Sequence, residues 1–558
     1  MPLRPLLALV LTLLFAAPVL ADEAEITGPV GADVSPIETL TVQDRQVLKT
    51  FDTFARQRLS FITGKTRLGD ASPTWTVLDI VFRPAAYLER PIIKVHHLPL
   101  RLELAKLPGL DADEAERIKR EGTVSAAFLA DTDVQQAMQQ LQAADLRRAE
   151  PIGRLDQQRR ALDELLVGGG MVYPPGRLVP PGNGVDSTIW LGVAQLEPNL
   201  PELAAAQRVL HGVVGDVQPG FEQEQVRDAI EASLRLSGSW RSGDEAGVTE
   251  AIETLAAVLP AMNADRYPSD ERRTAELWYN KLGKGTLIGA AIYFTAFTLL
   301  LLRGVTDRRW FGVGGLVVLV GGLLVHTAAI GVRWWLVEKS TGDWALSIPI
   351  KNQFESVLMS AWFGGVVGLA LELWRRNGFF GAAASFVGGL SLIALFTVPY
   401  VFGKEIGGEI TQAGGILMTF WLYIHVTLVV FSYALIGMTF ILGVTWGVAK
   451  LAGAGRPLLG LIDSSNLVLL QLAFWVLGVG IVTGAYWADV SWGRPWGWDP
   501  KETFALVTWI VYLIIVHVRF VTPNKAAWTA GLSIVGFFVM LFNWIGVNFF
   551  LVGLHSYA

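Results

Sequence analysis

Cysteine is absent from the 558 residues. Its absence excludes disulfides, thiolate metal sites, thiol redox catalysis and covalent capture of a cofactor through cysteine. Charge is scarce as well: Asp, Glu, Lys and Arg make up 17% of the chain, against roughly a quarter in an ordinary soluble protein. The shortage is uneven, because only 27 of the 95 charged residues follow residue 282. One uniform soluble globule is therefore excluded, and a charge-rich part is joined to a charge-poor, tryptophan-rich part. A net charge of -5 spread over both parts leaves no basic patch for nucleic acid. Imidazole, indole, carboxylate or a bound group must carry whatever chemistry occurs.

The first 21 residues hold a single charge, Arg4, then an apolar run from Leu6 to Leu20 that ends in Val19-Leu20-Ala21 before Asp22-Glu23. This is the layout of a secretory signal peptide with cleavage after Ala21. The run is shorter than the roughly 20 residues of a membrane span, although an uncleaved anchor is the alternative. Residues 22–282 then read as a mainly helical extracytoplasmic domain. Leu48, Phe51, Phe54, Ala55, Leu59 and Ile62 recur at helical spacing, as do apolar positions in 133–166, 221–236 and 247–262, and such stripes are core. Gly168-Gly169-Gly170 and the prolines from Pro174 to Pro181 form a breaker-rich stretch expected to divide the domain into two lobes. His96 and His97 are adjacent and would point to opposite faces of a strand. They and His211 read as structural.

From about residue 285 long apolar runs take over, near 285–302, 311–332, 355–374, 378–402, 415–447, 466–487, 503–520 and 528–551. Each is long enough to span a bilayer, giving an all-α polytopic membrane protein of eight transmembrane helices behind the helical domain. With that domain outside, Arg303, Arg308, Arg309, Arg375, Arg376, Lys450, Arg456, Arg519 and Lys525 fall in inner loops. Their sign agrees with the orientation set by the signal peptide. Loops around 333–354, 403–414 and 488–502 then face outward.

Four histidines lie in this part. His425 falls in the outer half of the fifth span, His555 just beyond the eighth, His517 near the inner end of the seventh, and His326 in the outer third of the second. An ionisable side chain within a span is a functional candidate by default, although a lone histidine also serves as a hydrogen-bonding link between helices. The sharpest feature is the outer loop 488–503, with Trp492, Arg494, Trp496, Trp498, Asp499 and Lys501. One or two interfacial tryptophans are ordinary anchors. Three within seven residues, broken by Gly and Pro, suit a large planar ligand, because indole offers a flat apolar face with a donor at its edge. Arg494 and Lys501 could meet anionic groups on its rim, and His425 and His555 could supply two axial nitrogens to a central metal. A planar, metal-centred ligand with carboxylates at one edge describes haem.

At these residues the chain resembles the CcsA (ResC) branch of the cytochrome c assembly family. Trp492 to Thr503 matches that family's WWD signature in the form W-G-x-x-W-x-W-D-P-K-E-T. Asn352-Gln353-Phe354-Glu355-Ser356, His425 with Ser432-Tyr433, and Gly546-Val547-Asn548 with Gly553-Leu554-His555-Ser556-Tyr557 are similar to further family segments, so the resemblance covers roughly 311–558. It implies residence in the cytoplasmic membrane and handling of haem b as a non-covalent substrate. Haem would be presented at the outer face and attached, with a ResB/CcsB partner, to apocytochrome c through thioether bonds. The chain would then be a subunit of a holocytochrome c synthase. By position, His425 and His555 match the family's external axial ligands and His517 its transmembrane ligand. His326 corresponds less closely, and the second transmembrane ligand is expected on a separate chain.

Two rivals stand beside this reading. The CcmC and CcmF haem-handling proteins also carry WWD segments, but Asp499-Pro500-Lys501-Glu502-Thr503 and eight spans favour CcsA. A histidine-relay transporter would place acidic residues in mid-membrane, whereas Glu355 and Glu372 sit at span ends, and it leaves the tryptophan loop unexplained.

Overall fold

The computed structural model describes residues 28–44, 47–107, 109–145, 148–166, 173–196, 219–282, 285–341, 348–350, 352–402, 419–547, 551 and 553. The N-terminal segment that reads as a signal peptide, His211 and His555 lie outside the described residues.

In the N-terminal domain, strands β1 (Thr41–Asp44) and β2 (Val47–Thr50) pair antiparallel, with Thr41 opposite Thr50. A second short pair joins β3 (Ile93–Lys94) to β4 (Thr123–Val124). Thr50 closes β2 and starts helix α1 (Phe51–Thr63) by accepting the Thr53 N–H, while Gly64 ends that helix at φ 70°. A hydroxyl cap satisfies one of the otherwise orphaned N-terminal donors. The expected stripe Phe51, Phe54, Ala55, Leu59 and Ile62 is buried. Helix α2 (Pro73–Phe82) is buried along its whole length. With α3 (Ala149–Leu166), α4 (Gln223–Ser242) and α5 (Glu245–Ala261), α1 and α2 enclose one continuous apolar core. Asp79 sits inside it and accepts from the Tyr87 hydroxyl at 2.8 Å and Trp240 Nε1 at 2.9 Å, which satisfies a carboxylate that burial would otherwise penalise.

The expectation of two lobes is not met. Tyr173, Leu178, Val179 and Trp190, from the breaker-rich stretch and its continuation, are buried in the same core as Phe54 and Trp240. Proline and glycine interrupt regular structure there without interrupting packing, because the intervening apolar side chains still turn inward.

Helix α6 (Asp270–Lys281) closes the domain. Its Glu276 accepts from the Thr50 amide at 2.8 Å and from the Thr53 hydroxyl at 2.5 Å, so α6 is latched to the β2–α1 corner. Eight long helices follow: α7 (Gly285–Thr306), α8 (Arg309–Thr341), α9 (Gln353–Arg375), α10 (Phe379–Phe402), α11 (Phe420–Leu451), α12 (Arg456–Trp492), α13 (Pro500–Val521) and α14 (Lys525–Leu541), the last continued by a π turn at Phe542–Gly546. Seven of them are long and apolar enough to cross a membrane. The eighth, α10, has 24 residues and packs against α7, α9 and α11. The chain is an all-α, multi-pass membrane protein carrying an additional, mainly helical N-terminal domain. One buried cluster joins α7–α10 with the first half of α11, and another joins α10–α14.

Three expected boundaries shift. Helix α8 does not stop near residue 332 but runs to Thr341, because Arg333 is neutralised inside the protein. Its guanidinium lies 2.7 Å from Glu355, both side chains are fully buried, and its other edge reaches the Tyr279 hydroxyl of α6 at 3.4 Å. The Phe354 ring lies under the same guanidinium at 5.1 Å. The N-terminal domain is thereby seated on the α8–α9 corner, where Val47 and Leu336 are buried together. Helix α12 spans 37 residues instead of the expected 466–487. Polar residues in its first part find partners on other helices: Asp463 holds Arg519 in two bonds of 2.6 and 2.9 Å, Ser465 accepts from Asn377 and Asn466 donates to Ser533. Within the tryptophan-rich loop, helix continues through Trp492, so only 493–499 are non-helical.

Candidate functional site

His425 is the sixth residue of α11, half-buried against α12. Its Nδ1 lies 2.8 Å from the Gly480 carbonyl oxygen. A carbonyl only accepts, so Nδ1 carries the proton, and the neutral ring then has its lone pair on Nε2. Such a carbonyl bond is the usual device for fixing the tautomer of a metal-binding histidine. The ring lies parallel to Trp487 of α12, with an interplanar angle of 5° and centroids 6.5 Å apart. Gly484 lies beneath it, and a Cβ there would stand 2.5 Å from both Cε1 and Nδ1 of the imidazole. Two glycines one turn apart, 480 and 484, thus provide the acceptor and the room that His425 needs.

Trp487 continues the aromatic surface upward. Trp492 meets it edge-on at 4.7 Å, and Gly493 then ends α12 at φ 70°. Trp496 and Trp498 form a perpendicular pair at 5.8 Å. Trp498 is 70% exposed and holds φ at 55°, a left-handed backbone that costs a bulky residue about 1–3 kcal/mol and is typical of functional loops. Arg494 is exposed, with its guanidinium folded over Gly497.

The remainder of the signature is architectural. Asp499 caps α13, accepting from the Lys501 amide at 3.0 Å; Pro500 takes the first helical position; and Glu502 accepts from the amides of Gly497 at 2.8 Å and Asp499 at 3.2 Å. This reciprocal capping box fixes the angle at which the loop enters the helix. Lys501 turns inward, its Nζ 3.4 Å from the Trp544 carbonyl in the π turn. Its ammonium therefore braces the loop from below instead of lining the exposed rim with Arg494. Gly553, two residues before His555 in sequence, packs directly on Asp499, so the chain returns to this loop just ahead of that histidine.

The other two histidines lie elsewhere. His517 is exposed on α13, roughly 25 Å along the helix from Pro500 at 1.5 Å per residue, and its Nδ1 donates to the Leu513 carbonyl at 2.8 Å. The lone pair again falls on Nε2, here on the outer surface of the bundle. His326 of α8 is buried against α7, with Nδ1 2.9 Å from the Tyr293 hydroxyl. The two are not brought together. Among the described residues no cluster of three His, Asp or Glu side chains could hold a metal ion. In the N-terminal domain, His97 accepts the Leu100 amide as a helix cap. His96 is half-buried, and burial, then Arg154, Lys94 and Arg101, push its pKa down to about 4. Sequence reasoning missed Trp487, the Gly480–Gly484 pair and Trp544. The i, i+4 glycines on a long apolar helix were the available signal, since small residues mark close approach between membrane helices.

The bundle thus carries an aromatic platform backed by a histidine at one end. Residues 350–555 match the family described as Cytochrome C assembly protein. The chain is 30% identical over 302 residues to the cytochrome c biogenesis protein CcsA of Parasynechococcus marenigrum, covering 48% of this chain and 94% of that protein. Against CcsA of Chlamydomonas reinhardtii it is 31% identical over 340 residues, 58% of this chain and 85% of that one. Protein NrfI of Wolinella succinogenes is 30% identical over 329 residues, 55% of this chain but only 34% of its own length. The chain belongs to the cytochrome c assembly proteins of CcsA type, and spans about a third of the larger NrfI relative.

Proposed function

We propose that this protein binds haem at the tryptophan-loop end of the bundle, on the extracytoplasmic face of the cytoplasmic membrane. There it holds haem for attachment to apocytochrome c, acting with a ResB/CcsB-type membrane partner. The observation that carries the proposal is the fixed tautomer of His425: Nδ1 is committed to Gly480, which puts the lone pair on Nε2, and the ring lies against a Trp487–Trp492 surface. The donor set fits haem. Nitrogen suits iron, indole faces suit the macrocycle, and Arg494 suits a propionate. Haem is the substrate here, and it brings the vinyl groups. Thioether formation adds each cysteine S–H of the acceptor across one vinyl C=C, so atoms balance with no group left over. The protein contributes the register between haem and peptide, and a synthase without cysteine has no thiol of its own to compete.

His555 is proposed as the second axial ligand, because the chain returns to Asp499 at Gly553. His517, with Nε2 on the outer surface of α13, is proposed as one ligand of a haem held between this bundle and a partner helix. His326, enclosed with Tyr293, is left to structure. The test is purification of His425→Gly and His555→Gly variants from haem-replete membranes, with cytochrome c maturation assayed in parallel. Both variants should lose copurified haem and maturation; an unchanged Soret band with normal maturation in both would overturn the proposal.

A further inference from the structure

The end of the bundle opposite the tryptophan loop shares its positive charge unevenly. The α7–α8 turn carries Arg303, Arg308 and Arg309 and the α9–α10 turn carries Arg375 and Arg376, with Asp307 the one carboxylate within 303–310 and 373–379. The α11–α12 and α13–α14 connections offer only Lys450 with Arg456 and Lys525 with Arg519, and Arg519 is already held by Asp463.

The two arginine-rich turns touch. Arg303 donates to the Arg376 carbonyl at 3.3 Å while pairing with Asp307. Glu372, at the base of the second turn, is buried and committed to the amides of Gly378 at 2.6 Å and Gly381 at 3.2 Å. Arg308, Arg309, Arg375 and Arg376 are exposed, and among the described residues no carboxylate forms an ion pair with any of them. Asp307, the one carboxylate of these turns, is paired with Arg303 and leaves an excess of positive charge; four exposed guanidiniums on two adjoining turns repel one another unless an anion joins them.

The flanks indicate what kind of anion. Trp310 is 59% exposed and stacks on Phe311, and Trp374 is 64% exposed with the Arg375 guanidinium 4.1 Å over its ring. Val305 and Leu373 beside them are exposed as well. Tryptophan and aliphatic side chains around a cationic patch at helix ends mark the headgroup level of a bilayer, where the available anion carries an acyl body. Basic residues at one end of a bundle also orient a membrane protein, but orientation requires neither their convergence on one half nor the exposed tryptophan pair.

We propose that the joined α7–α8 and α9–α10 turns form a binding site for an anionic phospholipid, with Arg308, Arg309, Arg375 and Arg376 on the headgroup phosphate and Trp310 and Trp374 beside the acyl chains. The test is native mass spectrometry of the full chain in detergent, supplied with phosphatidylglycerol, phosphatidylcholine or inorganic phosphate. Phosphatidylglycerol should be retained over phosphatidylcholine, and excess inorganic phosphate should not displace it. Each arginine removed should lower retention roughly fivefold, the equivalent of about 1 kcal/mol per charge near a lipid surface, so R308Q/R309Q falls further than R375Q alone. Lys525→Gln, at the same end beneath the other half, should retain lipid as the parent does, and Trp310→Ala should lose it without loss of charge. Equal retention of the two lipids, undiminished retention in R308Q/R309Q and R375Q, or displacement by inorganic phosphate would each overturn the proposal.

Discussion

Replacing Gly484 by alanine places a methyl group 2.5 Å from two atoms of the His425 ring, where carbon atoms rest at roughly 3.5–4.0 Å. The ring must retreat by about 1 Å, which stretches the 2.8 Å bond to the Gly480 carbonyl. Losing the bond costs about 1 kcal/mol and the overpacking about 1–3 kcal/mol, while alanine returns about 1 kcal/mol of helix propensity. Net stability thus falls modestly, but the axial nitrogen is displaced by an amount that elsewhere costs about a hundredfold in function. Gly478→Ala is the matched control: its Cβ would meet Trp509 Nε1 at 2.7 Å on the same helix, away from the histidine. Haem per mole of purified protein and cytochrome c maturation are the readouts, with thermal unfolding alongside. G484A should lose most haem and maturation, and G478A should lose comparable stability while keeping both. Retention of haem in G484A, or its equal loss in G478A, would refute the reasoning.

Other outcomes follow from single contacts. Glu355→Gln should destabilise by about 3–5 kcal/mol, because it strands a fully buried guanidinium; R333M/E355L should recover most of that in thermal unfolding. Asp499→Ala should cost about 1 kcal/mol by removing the cap of α13, whereas Asp499→Asn, also a good cap, should cost little; equal losses would mean that the charge matters instead. His96 is held neutral by burial and by Arg154, Lys94 and Arg101, its pKa lowered from 6.5 to about 4. The unfolded chain therefore binds this proton first, so the stability of the N-terminal domain should fall as pH drops from about 6.5 through 4. His96→Gln should flatten that slope, as read from pH-dependent unfolding.

Much of the fold was legible because apolar runs of membrane length admit few structures. The two misplaced span ends share one cause. Arg333 and Asp463 each look like the end of a span, yet each is neutralised by a residue distant in sequence, Glu355 and Arg519, and pairing across elements cannot be read from spacing. The breaker-rich stretch after Tyr173 misled in the opposite sense, since local chain breaks say little about where Leu178 and Val179 bury themselves. At the site, the tryptophans and His425 stood out by composition and depth. The capping box at Asp499-Pro500-Lys501-Glu502 is readable from its residue types, but Asp499 and Lys501 read as ligand-facing from the sequence because they adjoin the tryptophans. The inward turn of Lys501 depends on a π turn, which no local pattern announces.

The central claim is that His425 is an axial ligand of a haem held at the tryptophan loop. Electron paramagnetic resonance of the oxidised, detergent-purified protein tests it most directly. The parent chain should give a low-spin ferric signal from bis-histidine haem, converted to high-spin or lost in His425→Gly. A parent protein that carries no haem when purified from haem-replete membranes, or a low-spin signal unchanged by His425→Gly, would contradict it.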